Sequence, residues 1–95
     1  MRTACFAAAI VLAWTCAATA ADPPVGALGC SGCHATNAKV ETPVPRLVGR
    51  PAAETLKAMQ DFRGSQRSAS VMDRIAKGFS DEEVQAIAAW YAEQK

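Results

Sequence analysis

The small size of the folded part of this chain is the strongest constraint on its fold. The sequence has 95 residues, enough for one domain, and its beginning resembles a secretory leader. A positively charged start precedes an apolar run over residues 4–14, and the small residues at 18–20 form a cleavage pattern. We therefore predict a cleaved signal peptide at residues 1–21 and a single domain at residues 22–95.

The leader pattern also predicts the location of the protein. The apolar run is shorter than the roughly 20 residues that a membrane-spanning helix needs, so we expect an exported, periplasmic protein whose mature form has no membrane span. A retained N-terminal anchor is the alternative. The formal net charge of the whole chain is +1, and this balance gives no indication of a nucleic-acid partner.

A domain over residues 22–95 is marginal for a hydrophobic core alone, and domains of this size usually carry a disulfide, a metal or a cofactor. Cys5 and Cys16 would leave with the leader, so Cys30 and Cys33 remain. A disulfide between these two would close a very small loop and would constrain little of the unfolded chain. Something else must complete the core.

The mature part has the pattern of helices joined by loops. No stretch alternates apolar and polar residues for long enough to indicate a sheet, so the predicted fold class is all-α. Asp22 and the two prolines after it favour a short first helix running toward Cys33. Residues 35–50 show little periodicity and contain Pro43 and Pro45, so we expect a long loop there.

Three further helices are predicted after this loop. The second should begin at Pro51 and end at Gly64, and its apolar face should comprise Ala53, Leu56, Met59 and Phe62. A short third segment should start near Met72 and stop at Gly78. The last helix has the clearest start, a capping box of Ser80 and Glu83. Its apolar stripe should comprise Val84, Ile87, Ala88 and Tyr91, with Trp90 beside it.

The residues that carry chemistry are Cys30-Ser31-Gly32-Cys33-His34. C-x-x-C-H is the attachment signature of a c-type haem. On a turn of helix, cysteines three apart lie on one side and can meet the two vinyl groups of one porphyrin, while the next residue brings its imidazole to the iron. The mature chain has no other histidine. We predict one covalently bound haem c, attached through Cys30 and Cys33, with His34 as an axial iron ligand.

Three other interpretations of the motif are possible. A thioredoxin-like dithiol needs the C-x-x-C on a strand-to-helix turn of an α/β fold, and no strands are evident. A zinc site needs four ligands, whereas the motif supplies three and places Cys33 directly beside His34. A chance match or a structural disulfide is the third. The leader, the small size and the single histidine together favour haem.

The second axial ligand is less clear from the pattern. Methionine is the usual choice in electron-transfer cytochromes, and Met59 and Met72 are the candidates after processing. Met59 lies within the apolar face of the second helix, so core packing explains it. Met72 follows a polar loop that can cross a haem face, although its spacing to Ile75 also allows packing. Periodicity favours Met72 only modestly, and an open sixth position stays possible.

With these residues identified, the sequence resembles class I cytochromes c, and more closely the cytochrome subunit of flavocytochrome c sulfide dehydrogenases. Beyond the haem motif, the resemblance covers most of the mature chain. It is carried by PRLVG at 45–49, FRG at 62–64, VMDRIAKGFSD at 71–81 and AWY at 89–91.

The resemblance implies helices wrapped around one haem, with the first and last helices crossing. It implies that Met72 is the distal iron ligand, that the Pro45 carbonyl accepts a hydrogen bond from the free ring nitrogen of His34, and that Leu47 packs on the haem. Arg46 or Arg50 would face a propionate group, or each would be a solvated surface residue.

The implied function is electron transfer, with no catalytic residue in this chain. The haem supplies the redox chemistry, and the expected partner is a flavoprotein (FAD) subunit that oxidises sulfide or a related reduced sulfur compound. A free-standing soluble cytochrome that shuttles electrons between membrane complexes is the alternative. Two further alternatives are a haem sensor or peroxidase with a vacant iron position and a thiol-disulfide protein.

Overall fold

A computed structural model describes residues 21–95, and within this range the chain forms helices and no strand. The predicted all-α fold class is confirmed. The helices are α1 (Ala27–Cys30), α2 (Ala52–Arg63), α3 (Met72–Ala76) and α4 (Asp81–Glu93). The predicted signal peptide at residues 1–21 lies outside the described residues except for Ala21.

Helix α1 is shorter than predicted. It begins after Gly26 and ends at Cys30, where the prediction extended it toward Cys33. Gly26 has φ +87°, a left-handed conformation that interrupts any helix opened by the upstream prolines. After Cys30 the backbone continues as a turn, with the amide of His34 donating to the Cys30 carbonyl at 2.9 Å.

Helix α2 has the predicted bounds, but its buried face differs from the prediction. Pro51 precedes its first residue and Gly64 follows its last. Thr55 is the buried residue of the helix at 7% exposure, whereas Ala53, which was predicted to lie on the apolar face, is exposed. The inward face of α2 therefore includes the polar side chain of Thr55 and does not include Ala53.

Helix α4 confirms its predicted start and its predicted stripe. The Ser80 hydroxyl accepts from the Glu83 amide at 3.2 Å, and the Glu83 carboxylate accepts from the Ser80 amide at 3.1 Å. These two bonds satisfy amides that the first helical turn leaves free. The buried residues are the four predicted ones, Val84, Ile87, Ala88 and Tyr91.

Helices α1 and α4 meet at a small apolar cluster of Ala27, Ile87 and Tyr91. The Tyr91 hydroxyl donates to the Ala27 carbonyl at 2.5 Å. Tyr91 is 1% exposed and is the one large side chain that is fully buried in the described part of the chain. The polypeptide therefore supplies little large-residue packing of its own, in line with the expectation that something else completes the core.

Arg63, the last residue of α2, connects this helix to α3 and α4. Its guanidinium donates to the carbonyls of Ala76 at 3.4 Å and Phe79 at 2.9 Å, and it pairs with the Asp81 carboxylate at 2.6 Å. One side chain thus links the end of α2 to the end of α3 and the start of α4. Because α3 begins at Met72, these contacts help to fix the segment that carries this methionine.

Across residues 21–95, none of the helices has the length and apolar character needed to cross a membrane.

Candidate functional site

An apolar cavity of about 570 Å³ lies between the end of α1, the loop at 35–50, α2, α3 and the first half of α4. This volume is in the range of roughly 300–1,000 Å³ that is typical of cofactor sites. All the residues predicted for the site line this one cavity, namely Cys30, Cys33, His34, Pro45, Leu47 and Met72. The fold therefore brings together side chains that lie up to half the chain apart.

The two cysteines differ in their surroundings. Cys30 is half-buried at the end of α1, and Cys33 is exposed on the following turn; neither forms a disulfide. Burial raises the pKa of the Cys30 thiol above its ordinary value, so this side chain is a neutral thiol at neutral pH. A thiol-disulfide oxidoreductase depends on a cysteine with a lowered pKa. The environment of Cys30 thus argues against the dithiol alternative.

His34 is held by the long loop. Its ring nitrogen Nδ1 lies 2.5 Å from the carbonyl oxygen of Pro45, which is the contact that the resemblance implied. A carbonyl oxygen can only accept, so Nδ1 carries the hydrogen. In the neutral ring, Nε2 then has a free lone pair and can bind a metal ion. This arrangement orients the imidazole and selects the tautomer that a metal ligand needs.

The loop that carries Pro45 is itself fixed to α4. The amide of Gly49 donates to the Tyr91 carbonyl at 3.0 Å, and Gly49 has φ +71°, a conformation that favours glycine. Leu47 and Val48 pack against the Ala27, Ile87 and Tyr91 cluster. The acceptor for the His34 ring therefore depends on packing at the opposite end of the chain.

Both candidate methionines line the cavity. Met72 lies at the start of α3 and Met59 in α2, and each is half-buried. The geometry brings both to the same space and does not separate them, so the ligand role of Met72 remains a prediction. In the described residues, no group of three His, Cys, Asp or Glu side chains is arranged to hold a metal ion.

Thr55 is a buried cavity residue that the sequence did not lead us to predict. Thr55 lines the cavity, and its Oγ1 is buried without a hydrogen-bond partner. It lies four residues before Met59 and seven before Phe62, a helical spacing that identifies the inner face of α2. The signal was therefore present, but the prediction counted only apolar residues.

The charged residues of the cavity wall are all basic. They are Arg50 and Arg67, and the lining contains no aspartate or glutamate. Arg46 is not part of this wall; it donates to the Thr36 carbonyl at 3.2 Å, and its Nε is buried without a partner. Of the two arginines considered for a propionate group, Arg50 is the one that reaches the cavity.

Comparison with known proteins identifies relatives of this fold and site. Cytochrome c-554(548) of Halomonas halodenitrificans is 33% identical over 82 residues, covering 82% of this chain and 96% of the relative. The cytochrome subunit of sulfide dehydrogenase of Chlorobaculum tepidum is 34% identical over 64 residues, covering 67% of this chain. The thiosulfate dehydrogenase electron acceptor of Stutzerimonas stutzeri is 40% identical over 65 residues, covering 66% of this chain. No family model matches the chain.

The fold and the site define a small all-α protein with a C-x-x-C-H motif at the wall of an apolar cavity. The chain belongs to the cytochrome c family. Its cofactor is covalently bound haem c, whose attachment motif is present at residues 30–34. The chain spans 58% of the length of the sulfide dehydrogenase subunit and 30% of the length of the thiosulfate dehydrogenase electron acceptor.

The residues present fit this cofactor. The cavity has an apolar wall, two sulfur atoms and one oriented imidazole at one side, a methionine on α3, and basic residues without acidic ones.

Proposed function

We propose that this protein is a periplasmic one-electron carrier in which Cys30 and Cys33 form the haem thioethers and His34 and Met72 are the axial iron ligands. The observation that carries the proposal is the His34 ring, fixed on the Pro45 carbonyl at the wall of a cavity that both cysteines and Met72 also line. The haem supplies the redox change when bound.

The polypeptide contributes attachment, orientation and exclusion of water. The Pro45 carbonyl increases the basicity of the imidazole because it accepts the hydrogen of Nδ1. Leu47, Phe62 and Ile75 provide apolar surface to the cavity wall. A neutral thioether ligand and an apolar environment both favour the reduced iron, so we expect a raised reduction potential.

For the partner, we propose a sulfide-oxidising flavoprotein (FAD) that passes electrons to this cytochrome. The support is the similarity to a relative named as a cytochrome subunit of sulfide dehydrogenase. Val25 and Leu28 are 88% and 64% exposed beside the cysteine motif, and exposed apolar residues of this kind suit a protein contact.

A free-standing carrier is the second candidate. The observation that favours it is the match to cytochrome c-554(548), a relative of nearly the same length whose name includes no dehydrogenase. Co-purification from the native periplasm distinguishes the two candidates. A flavoprotein at fixed stoichiometry supports the subunit, and recovery of the cytochrome alone supports the free carrier.

The haem site is tested by expression of the full chain in a host that matures c-type cytochromes. The intact mass and the pyridine haemochrome spectrum should show one haem joined through two thioethers and loss of the leader. The Cys33→Ser variant is the matched control, because one thioether remains and the haemochrome band shifts accordingly. An exported product with the mass of the bare polypeptide would refute the proposal.

A further inference from the structure

We propose that the leader is cut between Ala20 and Ala21, so that the mature chain begins at Ala21 and is held there by the indole of Trp90. This inference rests on the periplasmic location in the proposed function. It assigns a processing site, and it places the boundary one residue before the one that the leader pattern alone led us to predict.

The contact between Ala21 and α4 is the first observation. The indole nitrogen Nε1 of Trp90 donates to the Ala21 carbonyl at 3.1 Å, across 69 positions of the sequence. Trp90 is half-buried, and its ring packs edge-on against the ring of Tyr91, with the two ring centres 4.9 Å apart. Because this packing orients the indole, its N–H needs an acceptor at a defined position, and the Ala21 carbonyl is that acceptor.

The second observation is that the segment from Ala21 to Ala27 is held at both of its ends. Two neighbouring residues of α4 supply the donors, since Trp90 binds the first carbonyl and the Tyr91 hydroxyl binds the last one at 2.5 Å. Between them, the ring of Pro24 fixes the backbone angle φ, and the Pro24 carbonyl accepts from the Ala27 amide at 3.0 Å. Ala21 is therefore part of the folded domain rather than of the leader.

The residues before the proposed cut are the third observation. Exported leaders are cut after a small residue that has another small residue two positions before it. Ala18 and Ala20 meet this requirement for a cut after Ala20, whereas a cut after Ala21 would place the larger, β-branched Thr19 at the earlier position. A cut after Ala21 would also remove the carbonyl that Trp90 binds.

The reaction at this site is hydrolysis by a leader peptidase with specificity for small residues. One water molecule is added across the amide bond, so that Ala20 leaves as the carboxyl end of the leader and Ala21 acquires a free α-amino group. The Ala21 carbonyl stays in its amide bond with Asp22. The cut therefore leaves the acceptor of the Trp90 indole in place.

The contact also has a consequence for the attachment motif. The segment that Trp90 and Tyr91 hold leads directly into α1, which ends at Cys30. A four-residue helix is too short to be stable by itself, so α1 depends on contacts with the rest of the fold. The bond between Ala21 and Trp90 thus contributes to the stability of the segment that presents this cysteine.

The experiment uses the full precursor, expressed in a host that exports and matures c-type cytochromes, and the holoprotein recovered from the periplasm. The intact mass identifies the first residue of the mature chain. Trp90→Phe removes the indole N–H and keeps an aromatic ring, deletion of Ala21 removes the acceptor, and a combined variant removes both. Ala21→Gly is the matched control, because it retains the carbonyl and the chain length.

Two further readouts report on the contact itself. The first is Tm of the holoprotein. The second is the exchange of the indole hydrogen with solvent, followed by NMR of the reduced protein. Trp14 lies within the leader, so Trp90 is the only tryptophan of the mature chain and its indole signal is unambiguous.

We expect a wild-type holoprotein that begins at Ala21. Trp90→Phe and the deletion should each lower Tm by roughly 4–8 °C, the combined variant should be no less stable than Trp90→Phe alone, and Ala21→Gly should have nearly the wild-type Tm. The indole hydrogen should exchange slowly in the wild type and in Ala21→Gly, and faster in the deletion variant.

A holoprotein that begins at Asp22, or one that retains the leader, would overturn this inference and leave the proposed haem site intact. Additive losses of Tm in the combined variant would overturn it as well, because Trp90 and Ala21 would then act independently. So would equal losses in Ala21→Gly and the deletion. A product that begins at Ala21 but carries no haem would support the processing site and refute the proposed function.

Discussion

Gly26 offers the sharpest test of how the packing at the start of α1 supports the site. A Cβ added at this position would lie 2.8 Å from Cε1 of Phe79 and 3.6 Å from Cδ1 of Ile87, and the backbone has φ +87°. The left-handed conformation costs an alanine about 1–2 kcal/mol, and forced overpacking costs about 1–3 kcal/mol. Alanine also reduces the conformational entropy of the unfolded chain, and this effect offsets about 0.4–1 kcal/mol of the loss.

Gly26→Ala should therefore reduce the free energy of unfolding by roughly 1–5 kcal/mol, a sizeable share of the about 5–15 kcal/mol of a typical domain. The assay is guanidinium unfolding of the holoprotein, followed by far-UV circular dichroism. In a domain of this size each kcal/mol lowers Tm by roughly 4–8 °C, so a thermal scan gives an independent measure.

Two further variants separate the steric overlap with Phe79 from the cost of the left-handed backbone conformation. Phe79→Leu removes the ring atom in the close contact, so Gly26→Ala/Phe79→Leu should lose about 1–3 kcal/mol less than the sum of the single variants. Gly64→Ala is the control, since Gly64 has φ −87° and its nearest neighbour would be 3.4 Å away. Additive losses would refute the steric contribution, and a Gly26→Ala protein as stable as Gly64→Ala would refute both.

Three other predictions follow from the site and the helix contacts. Met72→Leu should lower the reduction potential and allow carbon monoxide to bind the reduced iron rapidly, whereas Met59→Leu should leave the spectrum unchanged; the opposite result would make Met59 the ligand. Arg63→Gln should destabilise the protein by about 1–3 kcal/mol, mainly because the Phe79 carbonyl loses its donor, and should speed the displacement of the distal ligand by imidazole in stopped-flow measurements. Lys57→Gln, which removes an exposed i,i+4 ion pair, should change stability by less than about 0.5 kcal/mol, and equal effects of the two variants would contradict the role given to Arg63. Burial raises the pKa of Tyr91 above its ordinary value, so its contribution to stability should be complete below about pH 10 and should disappear as the pH rises through the folded-state pKa. Tyr91→Phe should lose about 1–3 kcal/mol at neutral pH and lack this alkaline step in a pH series of unfolding curves.

Sequence reasoning succeeded where the determinants are local. The capping box of Ser80 and Glu83 needs two residues three apart, and the bounds of α2 follow from Pro51 and Gly64, so both were predicted from neighbouring residues. The start of α1 was predicted wrongly. Its position depends on Gly26, whose conformation and close contact with Phe79 join parts of the chain that are distant in sequence.

For the site as well, residues adjacent in sequence could be predicted, whereas residues brought together by distant segments could not. Cys30, Cys33 and His34 form a contiguous motif, so their proximity to one another is guaranteed by the backbone. Thr55 was missed because its burial follows from a cavity that several distant segments enclose. The choice between Met59 and Met72 stays open for the same reason, since both reach that space.

The partner of the His34 ring has a consequence for how the protein tolerates change. The acceptor on Pro45 is a main-chain oxygen, and every amino acid carries one. Replacing the side chain at this position therefore leaves the acceptor in place, and the imidazole loses its anchor only when the backbone around residue 45 moves. The basicity of the His34 imidazole should therefore change with insertions, deletions or repacking in the segment around residue 45. Substitution of Pro45 alone should have little effect on it.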